Sequence, residues 1–128
     1  MCAALPFGYL KQLMPPFKLE LEKQSPSDEN RTIYKATGKL SLETVSEFIQ
    51  KLRAETAMQV VLDLSGVSFL DSAGVGALVS LFVSRRNQGK TFALASLAPQ
   101  SAAVVTVAGL QKLLPIYNTV EEALAKKA

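Results

Sequence analysis

From Phe17 to Glu22 apolar and polar residues alternate, with Phe17, Leu19 and Leu21 set against Lys18, Glu20 and Glu22. A period of two predicts a strand with one buried and one wet face. The turn-forming stretch SPSDEN at 25–30 follows. RTIYKAT at 31–37 is rich in β-branched and aromatic residues, which predicts a second strand and a hairpin with a long loop. Gly38 is expected to break that strand. The period then changes. In SLETVSEFIQKLRAE, residues 41–55, Leu42, Val45, Phe48, Ile49 and Leu52 recur at helical spacing. Ser41 is the expected N-cap, and Glu43 places negative charge in the first turn. QVVLDL at 59–64 does not alternate, as expected of a central strand buried on both faces. After a short loop, Val75, Leu78, Val79 and Phe82 predict a second helix that stops near Gly89. KTFALASL, residues 90–97, reads as another buried strand. Pro99 suits the first turn of a third helix closed by Gly109. LLPIYN at 113–118 reads as a short edge strand, because Pro115 cannot donate to a ladder. Thr119 and Glu122 match a capping box for a last helix.

The predicted order is therefore β-β-α-β-α-β-α-β-α, an α/β fold with right-handed crossovers and a mixed sheet. Residues 1–16 read as an N-terminal extension outside the core, dispensable for folding and ended by Pro15-Pro16. Residues 17–128 read as a single domain, without repeats or low-complexity segments.

Composition narrows the chemistry. Of 128 residues 48% are hydrophobic, enough for a compact core. Fourteen basic residues face 11 acidic ones, and no basic block exceeds the pairs Arg85-Arg86 and Lys126-Lys127. That is too sparse for a nucleic-acid footprint. No apolar run approaches the roughly 18–20 residues that span a membrane. The first 17 residues lack the basic n-region and long apolar core of a signal peptide. A cytoplasmic location is expected. The chain has no histidine and one cysteine, Cys2. It therefore offers no Ser-His-Asp or Cys-His device, no zinc site of the usual nitrogen and sulfur kind and no internal disulfide.

Two phosphate-binding patterns fail on inspection. Gly89-Lys90-Thr91 resembles the end of a P-loop, but Ser84 stands where the pattern needs its first glycine. GVGALV at 74–79 lacks the third glycine of a dinucleotide fingerprint. A receiver-like phosphoryl transfer on Asp63 would need further clustered acids and a lysine at a strand end, and the chain does not display that set in order.

Asp71-Ser72-Ala73-Gly74 stands where the second helix begins. Two readings of Ser72 are open. It is an N-cap worth roughly 1 kcal/mol, a job Asp71 could do equally. Or it is an exposed hydroxyl at a helix start, where partial positive charge tolerates an added phosphate of about −1.5 to −2 charge. Gly74, without a side chain, would let a partner approach the backbone closely.

The segment VVLDLSGVSFLDSAGVGALVSL, residues 60–81, resembles the central signature of the STAS domain in its anti-sigma factor antagonist branch. In that branch a strand ends in an aspartate, a short loop follows, and D-S-[SA]-G opens a helix. The resemblance extends more loosely over residues 17–125 and implies a mixed four- to five-stranded sheet with helices mainly on one face. It places the phosphoacceptor on Ser72, the strand-end acid on Asp63 and the acid before the acceptor on Asp71. Ala73 and Gly74 complete the switch loop, which Asp63 and Asp71 would orient. GKLSLETVSEFIQKL at 38–52 resembles the family's G-x-L-D segment, with Ser41 replacing the aspartate near the kinase-facing surface. The implied protein is not an enzyme and carries no cofactor or metal of its own. Unphosphorylated, it binds an anti-sigma factor serine kinase and releases a sigma factor. Phosphorylated on Ser72, it loses that binding until a serine phosphatase resets it. The alternative implied by the same fold is a STAS subunit of a membrane (lipid or anion) transport complex, a branch in which the acceptor serine is often replaced.

Overall fold

The computed structural model describes residues 19–24 and 30–125. The N-terminal extension, residues 1–16, lies outside them. Five strands form one mixed sheet in the order β1-β2-β3-β4-β5: Leu19–Gln24, Arg31–Leu40, Gln59–Leu70, Thr91–Ala95 and Ile116–Tyr117. β1 runs antiparallel to β2, and every later pair is parallel. Helices α1 (Val45–Arg53), α2 (Ser72–Asn87) and α3 (Pro99–Ala108) fill the crossovers, and α4 (Val120–Ala125) follows β5. A short 3-10 turn, Leu110–Lys112, links α3 to β5.

β3 and β4 lack alternation because both faces of the sheet are covered. Val60, Leu62, Leu64, Phe92 and Leu94 pack with Phe48 and Leu52 of α1, Leu78 and Leu81 of α2, and Val105 of α3. On the opposite face Val61, Ala93 and Ala95 pack with Ala123 of α4. Three helices thus share one face and the last takes the other. Thr119 caps α4 as expected, its Oγ1 accepting from the Glu122 amide at 3.1 Å.

Three local expectations are corrected. β2 does not break at Gly38. It continues to Leu40 through register shifts at Lys35/Thr37 and Gly38/Lys39, with Gly38 at φ 115°. The bulge absorbs a conformation only glycine adopts cheaply, so the strand survives. Nor does β3 end near Asp63. Pairing with β4 stops at Asp63↔Ala95, but pairing with β2 continues to Leu40↔Leu70. Ser41 is not the cap of α1. A turn intervenes, the amides of Thr44 and Val45 donate to the Ser41 carbonyl at 2.9 and 3.0 Å, and the helix begins at Val45.

The N-terminal ends of the parallel strands are closed by a buried polar cluster. Arg85 donates through Nε to the Thr91 carbonyl at 2.9 Å and through its terminal nitrogens to the carbonyls of Glu55 and Ala57. Glu55 accepts from the Tyr34 hydroxyl at 2.6 Å and the Ala57 amide at 2.9 Å, and pairs with Lys23 at 3.2 Å. Burial pushes the Glu55 carboxyl up, but these donors outweigh it and hold it at about 2 instead of 4.5. A depressed carboxyl pKa contributes stability that is complete above the unfolded value and lost as pH falls toward the folded one. Glu55→Gln is therefore expected to cost about 1–2 kcal/mol at neutral pH, a figure discounted for the solvent-exposed Lys23. The difference from wild type should shrink between pH 4.5 and 2 in acid unfolding. A constant gap across that window would remove the carboxylate from the account.

Candidate functional site at the start of helix α2

All the parallel strands point their C-terminal ends to one edge of the sheet, and the Asp71–Gly74 turn lies on that edge. Asp71 has an extended backbone, φ −109° and ψ −175°, and caps α2 with its side chain. Its Oδ1 accepts from the Gly74 amide at 2.9 Å and its Oδ2 from the Leu42 amide at 3.2 Å. Its own amide donates to the Leu40 carbonyl at 3.3 Å. One carboxylate thus closes the helix start and ties it to the β2–α1 loop.

The capping role falls one residue before Ser72. Asp71 is the cap, and Ser72 is the first residue of the helix. Ser72 is exposed, and its hydroxyl has no hydrogen-bond partner among the described residues. It sits beside first-turn amides and the positive end of the helix dipole, where added negative charge is tolerated.

Gly74 has a different task from the one expected. It is buried, and a Cβ there would collide with the Leu40 carbonyl and approach Leu70 Cδ1 to 2.7 Å. Its bare backbone serves the packing of α2 against β2 and faces inward, away from any partner. Ala73 is half-buried beside it. Asp63 is not brought to the turn. Its Oδ1 accepts from the Ser65 amide at 2.9 Å, roughly 23 Å along β3 from Leu70. It shapes β3 where β4 departs and does not orient Ser72.

Ser41 is buried, and its hydroxyl donates to Glu43 Oε2 at 2.6 Å. That bond holds the Glu43 carboxyl below the usual range. Ser41, Glu43 and Asp71 share a small cavity of about 210 Å³ with Lys39 and Phe69. Ser41→Asp would replace a donor by a second carboxylate against Glu43. We expect a loss of about 1–3 kcal/mol in denaturant unfolding. Stability equal to wild type would mean that the loop opens freely to solvent.

Sequence reasoning missed Gln100. Its side-chain amide pairs with both backbone groups of Leu70, at 3.0 Å from the Leu70 amide and 3.2 Å to its carbonyl. This anchors α3 to the strand end just before Asp71. An isolated glutamine after a proline carries no signal of such pairing. The apolar rim was missed as well. Leu42 and Phe69 are exposed beside Asp71, and Val107 is 90% exposed on α3. Ser72, Val75, Ala103, Val104, Val107 and Ala108 line a shallow apolar groove of about 390 Å³ between α2 and α3.

A five-stranded sheet in sequential order, with an acid-capped exposed serine opening the second helix, defines the class. The chain belongs to the STAS domain family, whose model matches residues 22–123. It is 28% identical over 82 residues to an anti-sigma F factor antagonist of Paenibacillus polymyxa, covering 64% of this chain and 68% of that protein. The crystal structure of an anti-sigma factor antagonist from Mycobacterium paratuberculosis superposes with a TM-score of 0.73 at 22% identity, over 84% of this chain and 92% of that one. The Bacillus cell fate determinant SpoIIAA in its phosphorylated form gives 0.63 at 18% identity, over 83% and 97%. The same fold occurs within the murine anion transporter Slc26a9, with a TM-score of 0.69 at 18% identity over 91% of this chain and 23% of the transporter. No helix among the described residues is long and apolar enough to cross a membrane.

Proposed function

We propose that this protein is a cytoplasmic anti-sigma factor antagonist that works by partner switching, with Ser72 as the phosphoacceptor. The observation that carries the reading is an exposed Ser72 hydroxyl, without a hydrogen-bond partner among the described residues, on a turn that Asp71 holds without its help. Unphosphorylated, the edge with Leu42, Phe69 and Val107 docks on an anti-sigma factor serine kinase and frees the sigma factor. In the transfer, Ser72 Oγ forms a bond to the γ-phosphorus of ATP as the bond to ADP breaks. The hydroxyl proton passes to a base of the kinase, which also supplies metal and nucleotide. The chain is a substrate in this step and needs no cofactor. A serine phosphatase returns the hydroxyl by hydrolysis.

Phosphorylation with ATP and the kinase, followed by mass spectrometry, tests the assignment. Phosphate is expected on Ser72 alone, and Ser72→Ala should incorporate none. Phosphate on another residue would overturn it. The likeness to a domain of an anion transporter favours a second reading, a subunit that docks on a transport complex. Purification from the native host separates the two, through a kinase in one case and membrane transport components in the other.

A further inference from the structure

We infer that Gln100 is a positioning residue for phosphate transfer to Ser72, acting through the end of β3 without touching the hydroxyl. This role rests on the reading of Ser72 as phosphoacceptor. β4 leaves the sheet at Ala95, opposite Asp63, so from Leu64 to Leu70 β3 pairs with β2 alone among the described residues. That ladder shifts register twice before it reaches Leu40↔Leu70. The acceptor turn therefore follows the least supported stretch of the sheet.

Gln100, in the first turn of α3, fills the place that β4 leaves. Its Oε1 accepts from the Leu70 amide at 3.0 Å and its Nε2 donates to the Leu70 carbonyl at 3.2 Å. A primary amide can do both, whereas a carboxylate has no donor and an ammonium no acceptor. On the other side the Asp71 amide donates to the Leu40 carbonyl at 3.3 Å. Leu70 is thus tied to α3 and Asp71 to β2, and Ser72 comes next. This grip sets where the first turn of α2 starts, and so where the Ser72 oxygen stands. Transfer needs that oxygen roughly 3 Å from the phosphorus and in line, and a displacement of about 1 Å can cost about 100-fold. Gln100 is exposed, so water can take over both bonds when its side chain is removed, and the fold should survive.

Two substitutions in the full chain test this, with the kinase purified from the native host and ATP. Gln100→Ala should lower kcat for phosphate uptake on Ser72 about tenfold or more, with KM within about twofold. Amide exchange at Leu70 and through Asp71–Gly74 should quicken. Gln100→Glu keeps the length and the acceptor but loses the donor, and adds an acid where the α3 dipole favours one. Its thermal midpoint should match or exceed wild type while kcat still falls, a divergence that a merely structural role does not produce. Thr106→Ala is the control: its exposed hydroxyl bonds within α3, to the Ala102 carbonyl at 2.9 Å, so kcat should stay at the wild-type value. Unchanged exchange at the turn in Gln100→Ala would overturn the inference, as would a loosened turn with unchanged kcat. A rise in KM alone would also overturn it, because Gln100 would then be a docking contact. A wild-type chain that takes no phosphate on Ser72 would remove the acceptor reading and the role of Gln100 in transfer with it, a result distinct from both.

Discussion

Gly74→Ala is expected to cost the domain about 2–4 kcal/mol, combining overpacking with damage to the α2 cap. In an ordinary helix the same change gains up to about 1 kcal/mol, because alanine is the better helix former. Here the sign reverses, because the new methyl meets the backbone carbonyl of Leu40 and the Leu70 side chain. A side chain could rotate away, but that carbonyl is held by the Asp71 amide. Relief requires α2 to move off β2. That movement strains the bonds from Gly74 to Asp71 Oδ1 and from Leu42 to Asp71 Oδ2. Gly76 is the internal control. It lies further along α2, where an added Cβ would have nothing within 4 Å, so Gly76→Ala should raise stability by about 0.5–1 kcal/mol. Urea midpoints of the two variants should move in opposite directions. Two shifts of the same sign would mean that the turn is not packed as tightly as its geometry indicates.

The architecture was legible because hydrophobic period and burial agree in the central elements. Val60, Val61, Leu62 and Leu64 are all buried, so their unbroken apolar run marks a strand covered on both faces. The element ends were less legible, because tertiary bonds override local preference there. Ser41 has the chemistry of a cap, yet Thr44 Oγ1 binds the Ser41 amide and the Lys39 carbonyl and sets the turn that delays α1. Gly38 looks like a terminator, but its positive φ makes a bulge inside a longer strand. At the site, sequence could bring Asp71 and Ser72 to a helix start but could not assign the cap between them. Both residues can accept a first-turn amide. The assignment depends on Leu42, 29 residues earlier, whose amide draws the Asp71 carboxylate across the turn. Asp63 shows the converse. Its place in the motif suggests a neighbour of Ser72, while strand geometry sets it a long step down β3. Gln100 and Val107 left no pattern at all, since a single polar pairing and a single exposed valine have no period.

Ser72→Glu should bind the proposed kinase partner at least tenfold more weakly than wild type, about 1.4 kcal/mol or more. Its folded domain should be as stable as wild type or slightly more so. The opposite movement of these two quantities follows from the division of labour at the turn. Asp71 supplies the cap, so the Ser72 hydroxyl has no hydrogen bond among the described residues to lose. An acid in the first turn of α2 gains about 0.3–1 kcal/mol from the helix dipole. In a complex the same carboxylate must be stripped of water beside an apolar groove and next to the Asp71 carboxylate, a cost the free domain never meets. Ser72→Ala separates charge from the loss of the hydroxyl. It should keep affinity within a few-fold and stability within about 0.5 kcal/mol, because an exposed methyl at this position disturbs neither cap nor rim. Titration calorimetry with the kinase gives the affinities, and thermal unfolding of the free variants gives the stabilities. A glutamate variant that binds as tightly as wild type would sink the switch. An alanine variant whose lost affinity followed lost stability would show that Ser72 is structural after all.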